Sequence, residues 1–209
     1  MNAAVSALLI LVLLPLQQSF VRFSYCHEYP VGLFEKQCIE LKPDGTGQTV
    51  LKRRDSDPIS APVTLSPAGR SKFLSSLAAT RNLADAEKYE SSKRVANLGM
   101  KVLVLDLGSE TKEAKYNYSE LKDVIALTTL FDALLNQYVM SADIELSARY
   151  QRLSIPEHLD ELDRQLKAGR FGDPPGLIPV LDGLIVNDRI LQYAREHAQE
   201  LKDRILRSK

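Results

Sequence analysis

Both cysteines of this 209-residue chain lie in one stretch, FSYCHEYPVGLFEKQCIEL, at residues 23–41. The two ends of the stretch alternate like half-buried strands, and its middle has the proline and glycine of a chain reversal. A hairpin folded about Gly32 places Cys26 opposite Cys38, because each cysteine is six residues from that glycine. The same register aligns two apolar pairs on one face, Phe23 with Leu41 and Tyr25 with Ile39.

This register predicts a structural disulfide between Cys26 and Cys38. Directly opposed residues at a non-hydrogen-bonded position have Cα atoms roughly 4.5–5.5 Å apart, a distance that a disulfide can span. A structural zinc site needs four ligands, and only His27 lies near the two thiols. A thiol redox couple uses C-x-x-C at the start of a helix, which is absent here. Free buried thiols and a metal or redox role are the alternatives, and we predict no metal and no cofactor.

The N-terminus predicts export. An uncharged apolar run covers residues 3–14 and ends before Pro15. A membrane span needs about 20 apolar residues, whereas the core of a signal peptide needs about 7–15. We therefore predict a signal peptide over residues 1–19, although no lysine or arginine precedes the run and Gln17 suits cleavage after Ser19 poorly. An uncleaved anchor through residues 3–14 and a buried N-terminal helix or strand are the alternatives. Export places the protein in the periplasm or outside the cell, where disulfides form.

The charge balance argues against a nucleic-acid partner. Lysine plus arginine and aspartate plus glutamate both number 27, so the formal net charge is zero. A protein that binds duplex nucleic acid normally shows a basic excess or a basic stripe. The longest basic cluster covers residues 52–54 and is followed by Asp55 and Asp57, which is typical of a solvated hairpin edge.

The order of elements predicts an α+β fold over residues 20–140. A third strand follows the DGTG turn, where Gly45 and Gly47 are expected to supply positive φ values. A Pro/Ser-rich linker leads to a helix with Ser66 as its N-cap. Two more strands and an amphipathic helix complete the order βββ-α-ββ-α, which favours an antiparallel sheet with helices on one face.

Residues 141–209 are predicted to be a helical C-terminal region with three helices. The first begins with a capping box at Ser154 and Glu157, and the third begins at Asn187 or Asp188. The stretch LIPVLDGLIVNDRILQYAREHAQELKDRI resembles a single HEAT-type helical hairpin. Such solenoids need three or more repeats, and there is no second convincing copy. The resemblance therefore implies nothing about function.

No motif of a serine hydrolase, a P-loop, a zinc protease or an EF-hand is present. We therefore predict a non-catalytic binding module with a protein partner, in which the C-terminal helices offer an exposed apolar or aromatic docking face. The alternative is an enzyme whose site lies near His27, using Asp55, Asp57 or Glu28. A third possibility is a structural protein tethered to the membrane by its N-terminal segment.

Overall fold

The computed structural model describes residues 20–207, so the predicted leader at residues 1–19 and the alternative anchor lie outside the described residues. The strands are β1 (Arg22–Glu28), β2 (Phe34–Leu41), β3 (Thr46–Arg53), β4 (Ile59–Thr64), β5 (Met100–Asp106) and β6 (Thr111–Tyr116). The helices are α1 (Pro67–Ala79), α2 (Lys122–Tyr150), α3 (Ile155–Lys167), α4 (Ile178–Ile185) and α5 (Gln192–Arg207). The predicted α+β class is confirmed.

The six strands form one antiparallel sheet in the order β4-β3-β2-β1-β5-β6. Strand β1 is central because it pairs with β2 through the first hairpin and with β5 on its other side. The hairpin has the predicted register, with Cys26 opposite Cys38 and two apolar pairs beside them: Phe23 with Leu41 and Tyr25 with Ile39. The period-2 pattern was sufficient to define this register because a slip of one residue exposes the whole apolar face.

The predicted linker contains a strand, so the observed order is ββββ-α-ββ-α and the prediction of three initial strands was wrong. Strand β4 pairs with β3 and is an edge of the sheet. Pro62 lies within it, opposite Gln48. Proline is tolerated on an edge strand because the missing N–H can lie on the side without a neighbouring strand. The proline and serine content that indicated a linker is therefore compatible with this position.

The turn between β2 and β3 uses its two glycines for different reasons. Gly45 has a φ of +86°, as predicted. Gly47 does not have a positive φ, so that prediction was wrong. A Cβ atom on Gly47 would lie 1.8 Å from the carbonyl oxygen of Glu40, so the strands can pair only where this side chain is absent.

Helices α1 and α2 cover one face of the sheet. Ser66 caps α1 as predicted, its hydroxyl accepting a hydrogen bond from the N–H of Gly69 at 3.0 Å. Three phenylalanine rings join the sheet to the helices: Phe23 lies 5.9 Å from Phe73 and 5.0 Å from Phe131, and the last two are 5.7 Å apart in an edge-to-face arrangement. Such aromatic contacts stabilise a core beyond the area that they bury.

Helix α2 is 29 residues long and crosses the predicted domain boundary at residue 140. Its residues up to Leu135 belong to the core against the sheet, and from Ile144 onward to a second core among the C-terminal helices. The boundary therefore stays a prediction. By its length and a mean hydropathy of 1.2, α2 is long and apolar enough to cross a membrane, as core helices of soluble proteins also are, and 44% of that window is buried inside the protein.

The three predicted C-terminal helices are present, and one cap and one start differ from expectation. Ser154 ends a 3₁₀ turn, and its hydroxyl donates to the carbonyl of Gln151, so it makes no side-chain cap and the predicted capping box is wrong. Helix α5 begins at Gln192 because Asn187 closes a turn, its side-chain oxygen accepting from the N–H of Arg189 at 3.1 Å. Asparagine side chains favour such turns over the helix.

Asp173 links the C-terminal helices to the sheet domain. Its carboxylate is buried and accepts two hydrogen bonds from Ser66, one from the backbone N–H at 2.7 Å and one from the hydroxyl at 2.5 Å. Its own N–H donates to the side-chain oxygen of Gln137 on α2 at 3.2 Å. This negative carboxylate also lies at the N-terminus of α1, where the positive end of the helix dipole stabilises it.

We expect Asp173→Ala to lower the free energy of unfolding by about 2–3 kcal/mol, because two donors of Ser66 lose a charged acceptor in a buried site. Urea unfolding followed by circular dichroism measures the change. The control is Asp188→Ala, an exposed aspartate in the α4–α5 turn, which should change stability by less than about 0.5 kcal/mol. Equal effects of the two substitutions would show that Asp173 does not hold the two parts together.

Candidate functional site

The cysteine pair lies on the sheet face opposite the helices. The two sulfur atoms are 2.09 Å apart and the Cα atoms 4.1 Å apart, so the pair is at disulfide distance. The pair is half-buried, and the strands place Val102 beside Cys26 and Val50 beside Cys38 on the same face. Within residues 20–207 no group of three or more histidine, cysteine or acidic residues could hold a metal ion. The geometry is that of a bond that ties β1 to β2.

A buried polar cluster lies on the other face, where β1 meets α2. His27 points toward the helices, on the same side as Tyr25, as the strand pattern predicts. Its Nδ1 lies 3.3 Å from Oδ1 of Asp132, and its Nε2 lies 3.2 Å from the carbonyl oxygen of Leu98. The ring of Tyr29 stacks on the imidazole with centroids 4.1 Å apart.

Asp132 also accepts a hydrogen bond from the Tyr25 hydroxyl at 2.6 Å, on the oxygen that faces His27. Burial, followed by the charge of Asp132, raises the pKa of the Tyr25 phenol far above its ordinary value. The same two causes, in the same order, raise the pKa of Tyr29. Both phenols therefore stay protonated at neutral pH, and Tyr25 acts as a hydrogen-bond donor to the carboxylate.

The cluster has the geometry of a packed polar network more than of a catalytic dyad. In a triad, Nε2 of the histidine must take a proton from the nucleophile while Nδ1–H is held by the carboxylate. Here Nε2 of His27 already faces the carbonyl of Leu98. Both neighbours of the ring, the Asp132 carboxylate and the Leu98 carbonyl, are acceptors, so neither offers a proton to the imidazole. The side chain of Asp132 is 39% exposed against 9% for His27, so the network reaches solvent through the carboxylate.

The structure does not pair His27 with the acidic residues named by the sequence. Asp55 and Asp57 lie exposed in the β3–β4 turn, and Glu28 forms an ion pair with Lys36 at 2.7 Å. In the described part of the chain, no hydrogen bond or ion pair joins His27 to any of the three. The residue that sequence reasoning missed is Asp132. Its signal was a lone acidic residue inside the apolar run LTTLFDALL of the best amphipathic helix.

The helical end of the molecule offers a second surface. Seven residues line a cavity of about 540 Å³ where α2 ends and α5 begins, and we call its five largest apolar and basic members the helical-end surface. They are Tyr150, Arg152, Leu153, Arg189 and Leu191. The three apolar members are well exposed, at 77% for Tyr150, 84% for Leu153 and 42% for Leu191. The local cause is the break after Tyr150, where the chain leaves the helix for a 3₁₀ turn.

No protein-family model matches the chain, and comparison with curated proteins finds no significant match. Geometry and charge are therefore what distinguish the three sites. The cysteine pair and the His27 cluster are satisfied internally. The helical-end surface presents apolar side chains to solvent, which is unfavourable unless something covers them.

Replacing both cysteines with serine is expected to lower the free energy of unfolding by about 2–3 kcal/mol, because the unfolded chain regains the entropy of a short closed loop. The measurement is chemical unfolding with and without reductant. Reductant should destabilise the wild type and leave the Cys26→Ser/Cys38→Ser variant unchanged. A wild type whose unfolding ignores reductant would contradict the bond.

A double-mutant cycle tests the buried network. Tyr25→Phe and Asp132→Ala should each destabilise the protein, and their effects should be coupled by about 1–3 kcal/mol, because each removes the partner of the other. The control pairs Asp132→Ala with Tyr118→Phe on the loop after β6, and these two effects should add within about 0.5 kcal/mol. Additivity of the Tyr25 and Asp132 variants would overturn the hydrogen bond as a stabilising contact.

Proposed function

We propose that this protein is an exported, non-catalytic module that binds another protein through its helical-end surface. The observation that carries the proposal is the exposure of Tyr150, Leu153 and Leu191 around one cavity, beside two arginines. Tyrosine and arginine are enriched at the energetic centres of protein interfaces. The concave shape also fits a protruding side chain, which is how such centres pair across an interface.

The proposed compartment is the periplasm or the outside of the cell. The Cys26–Cys38 pair at disulfide distance supports it, because disulfides persist in oxidising compartments and are rare in a reducing cytosol. The signal peptide over residues 1–19 stays a prediction, as does the alternative of an anchor through residues 3–14.

The absence of catalysis is also a proposal, supported by the saturated contacts of His27. The enzyme alternative remains a prediction, and its carboxylate would be Asp132 instead of Asp55 or Asp57. The third possibility, a tethered structural protein, shares the same fold and differs only in the fate of the leader.

Site-specific photocrosslinking in the native host tests the proposed function. A crosslinking amino acid at Leu153 should give a discrete adduct with one protein, and the same amino acid at Leu206 on α5 should not. Leu206 is also an exposed leucine of the helical region, at 41%. The adduct should fractionate outside the cytoplasm, and the intact mass of the protein should lack residues 1–19.

The partner identified in this way is then purified and its affinity measured. We expect Leu153→Ala to weaken binding by about tenfold or more, as truncation of a central interface residue does, and Leu206→Ala to leave the affinity unchanged. Unfolding curves of both variants confirm that each is folded. Adducts of equal yield at both positions, or an affinity that Leu153→Ala leaves unaltered, would refute a docking site here.

A further inference from the structure

We propose that the partner segment that occupies the helical-end surface is acidic and carries one apolar side chain. This inference rests on the proposed function and adds the chemistry of the partner. The apolar side chain enters the cavity among Tyr150, Leu153 and Leu191. Carboxylates on either side of it pair with Arg152 and Arg189.

In the described part of the helical region some arginines have acidic partners and others, Arg149 and Arg170 among them, do not. Arg164 forms an ion pair with Glu161, and Arg204 with Asp163. Within residues 20–207, by contrast, neither Arg152 nor Arg189 has an acidic partner within ion-pair distance. The residues that line the cavity include these two arginines and no acidic residue. In a chain with zero net charge, this is a local positive surface that an acidic partner complements.

The apolar part of the surface limits the partner further. The cavity measures about 540 Å³ and is open to solvent, so it suits one side chain of a longer segment. Its apolar walls come from Tyr150, Leu153 and Leu191, and a purely charged segment would leave these side chains exposed to water. A segment with an apolar residue between acidic ones can bury the apolar walls and also form ion pairs with the two arginines.

Carboxylates of a protein segment fit this surface better than the phosphates of a membrane. The planar guanidinium binds a carboxylate through two parallel hydrogen bonds, so two arginines can define a register along a peptide. Stable attraction to an anionic membrane surface needs a cluster of basic residues. Asp188 is exposed directly before Arg189, so this turn has one acidic and one basic residue and lacks the basic cluster that membrane binding needs.

The test uses the full chain and a defined probe, a blocked peptide of sequence Asp-Glu-Leu-Glu-Asp, with binding followed by amide chemical shifts. The peptide should shift the signals of residues 150–154 and 189–191, and its affinity should fall with added salt. Arg152→Gln/Arg189→Gln should weaken binding by about tenfold or more, because each loses a charge-assisted contact. Arg94→Gln is the matched control, an exposed arginine in the loop before β5, and should bind like the wild type.

Each alternative outcome has a separate meaning. Failure of the acidic peptide to bind, or equal binding of Lys-Lys-Leu-Lys-Lys, overturns the acidic partner. Binding of phosphatidylserine vesicles that depends on the two arginines, without binding of the peptide, replaces the protein segment with a membrane. If the crosslinked partner loses affinity with Leu153→Ala but not with Arg152→Gln/Arg189→Gln, the proposed function stands and this inference fails.

Discussion

The antiparallel pairing of β1 with β2 is the constraint on which the rest of the molecule depends. It aligns Phe23 and Tyr25 with their apolar partners on one face and brings Cys26 to Cys38 on the other. The buried face then needs a cover, which α1 and α2 provide through a cluster of phenylalanine rings. Within residues 20–207 no helix packs on the opposite face, which carries the sulfur pair among half-buried valines. A single register therefore defines both the core and the crosslink.

Two devices extend this core to the C-terminal helices. Helix α2 contributes residues to both hydrophobic clusters, so the sheet domain and the helical region share one rigid element. Asp173 adds a polar contact, in which a carboxylate from the helical region accepts both donors of the residue that caps α1. Apolar packing is tolerant of small shifts, whereas this pair of hydrogen bonds requires a defined position. The joint between the two parts is therefore both apolar and geometrically specific.

Structural features that follow from a repeating sequence pattern or a residue preference were predicted correctly. Features that depend on tertiary contacts were not. The register about Gly32 followed from alternation, and the cap at Ser66 followed from residue preference. Strand β4 was not predicted because it contains a proline, which a strand tolerates only at the edge of a sheet. The predicted cap at Ser154 does not form because this residue ends a 3₁₀ turn. Asp132 contacts Tyr25 and His27, which lie more than 100 positions away in the sequence, so no local pattern could predict these partners. The helical-end surface depends in the same way on which side chains remain exposed after packing, and only the general expectation of a docking face among the C-terminal helices could be predicted.

The uninterrupted length of α2 has a mechanical consequence. At a rise of about 1.5 Å per residue, its 29 residues make a rod about 44 Å long. Helix α2 starts at Lys122, after five residues that follow β6, and ends at Tyr150, so it spans the distance from the sheet to the helical-end surface. A partner bound there as proposed would stand a helix length away from the end of β6. The spacing between the sheet and the proposed docking surface is thus set by the number of residues in one helix.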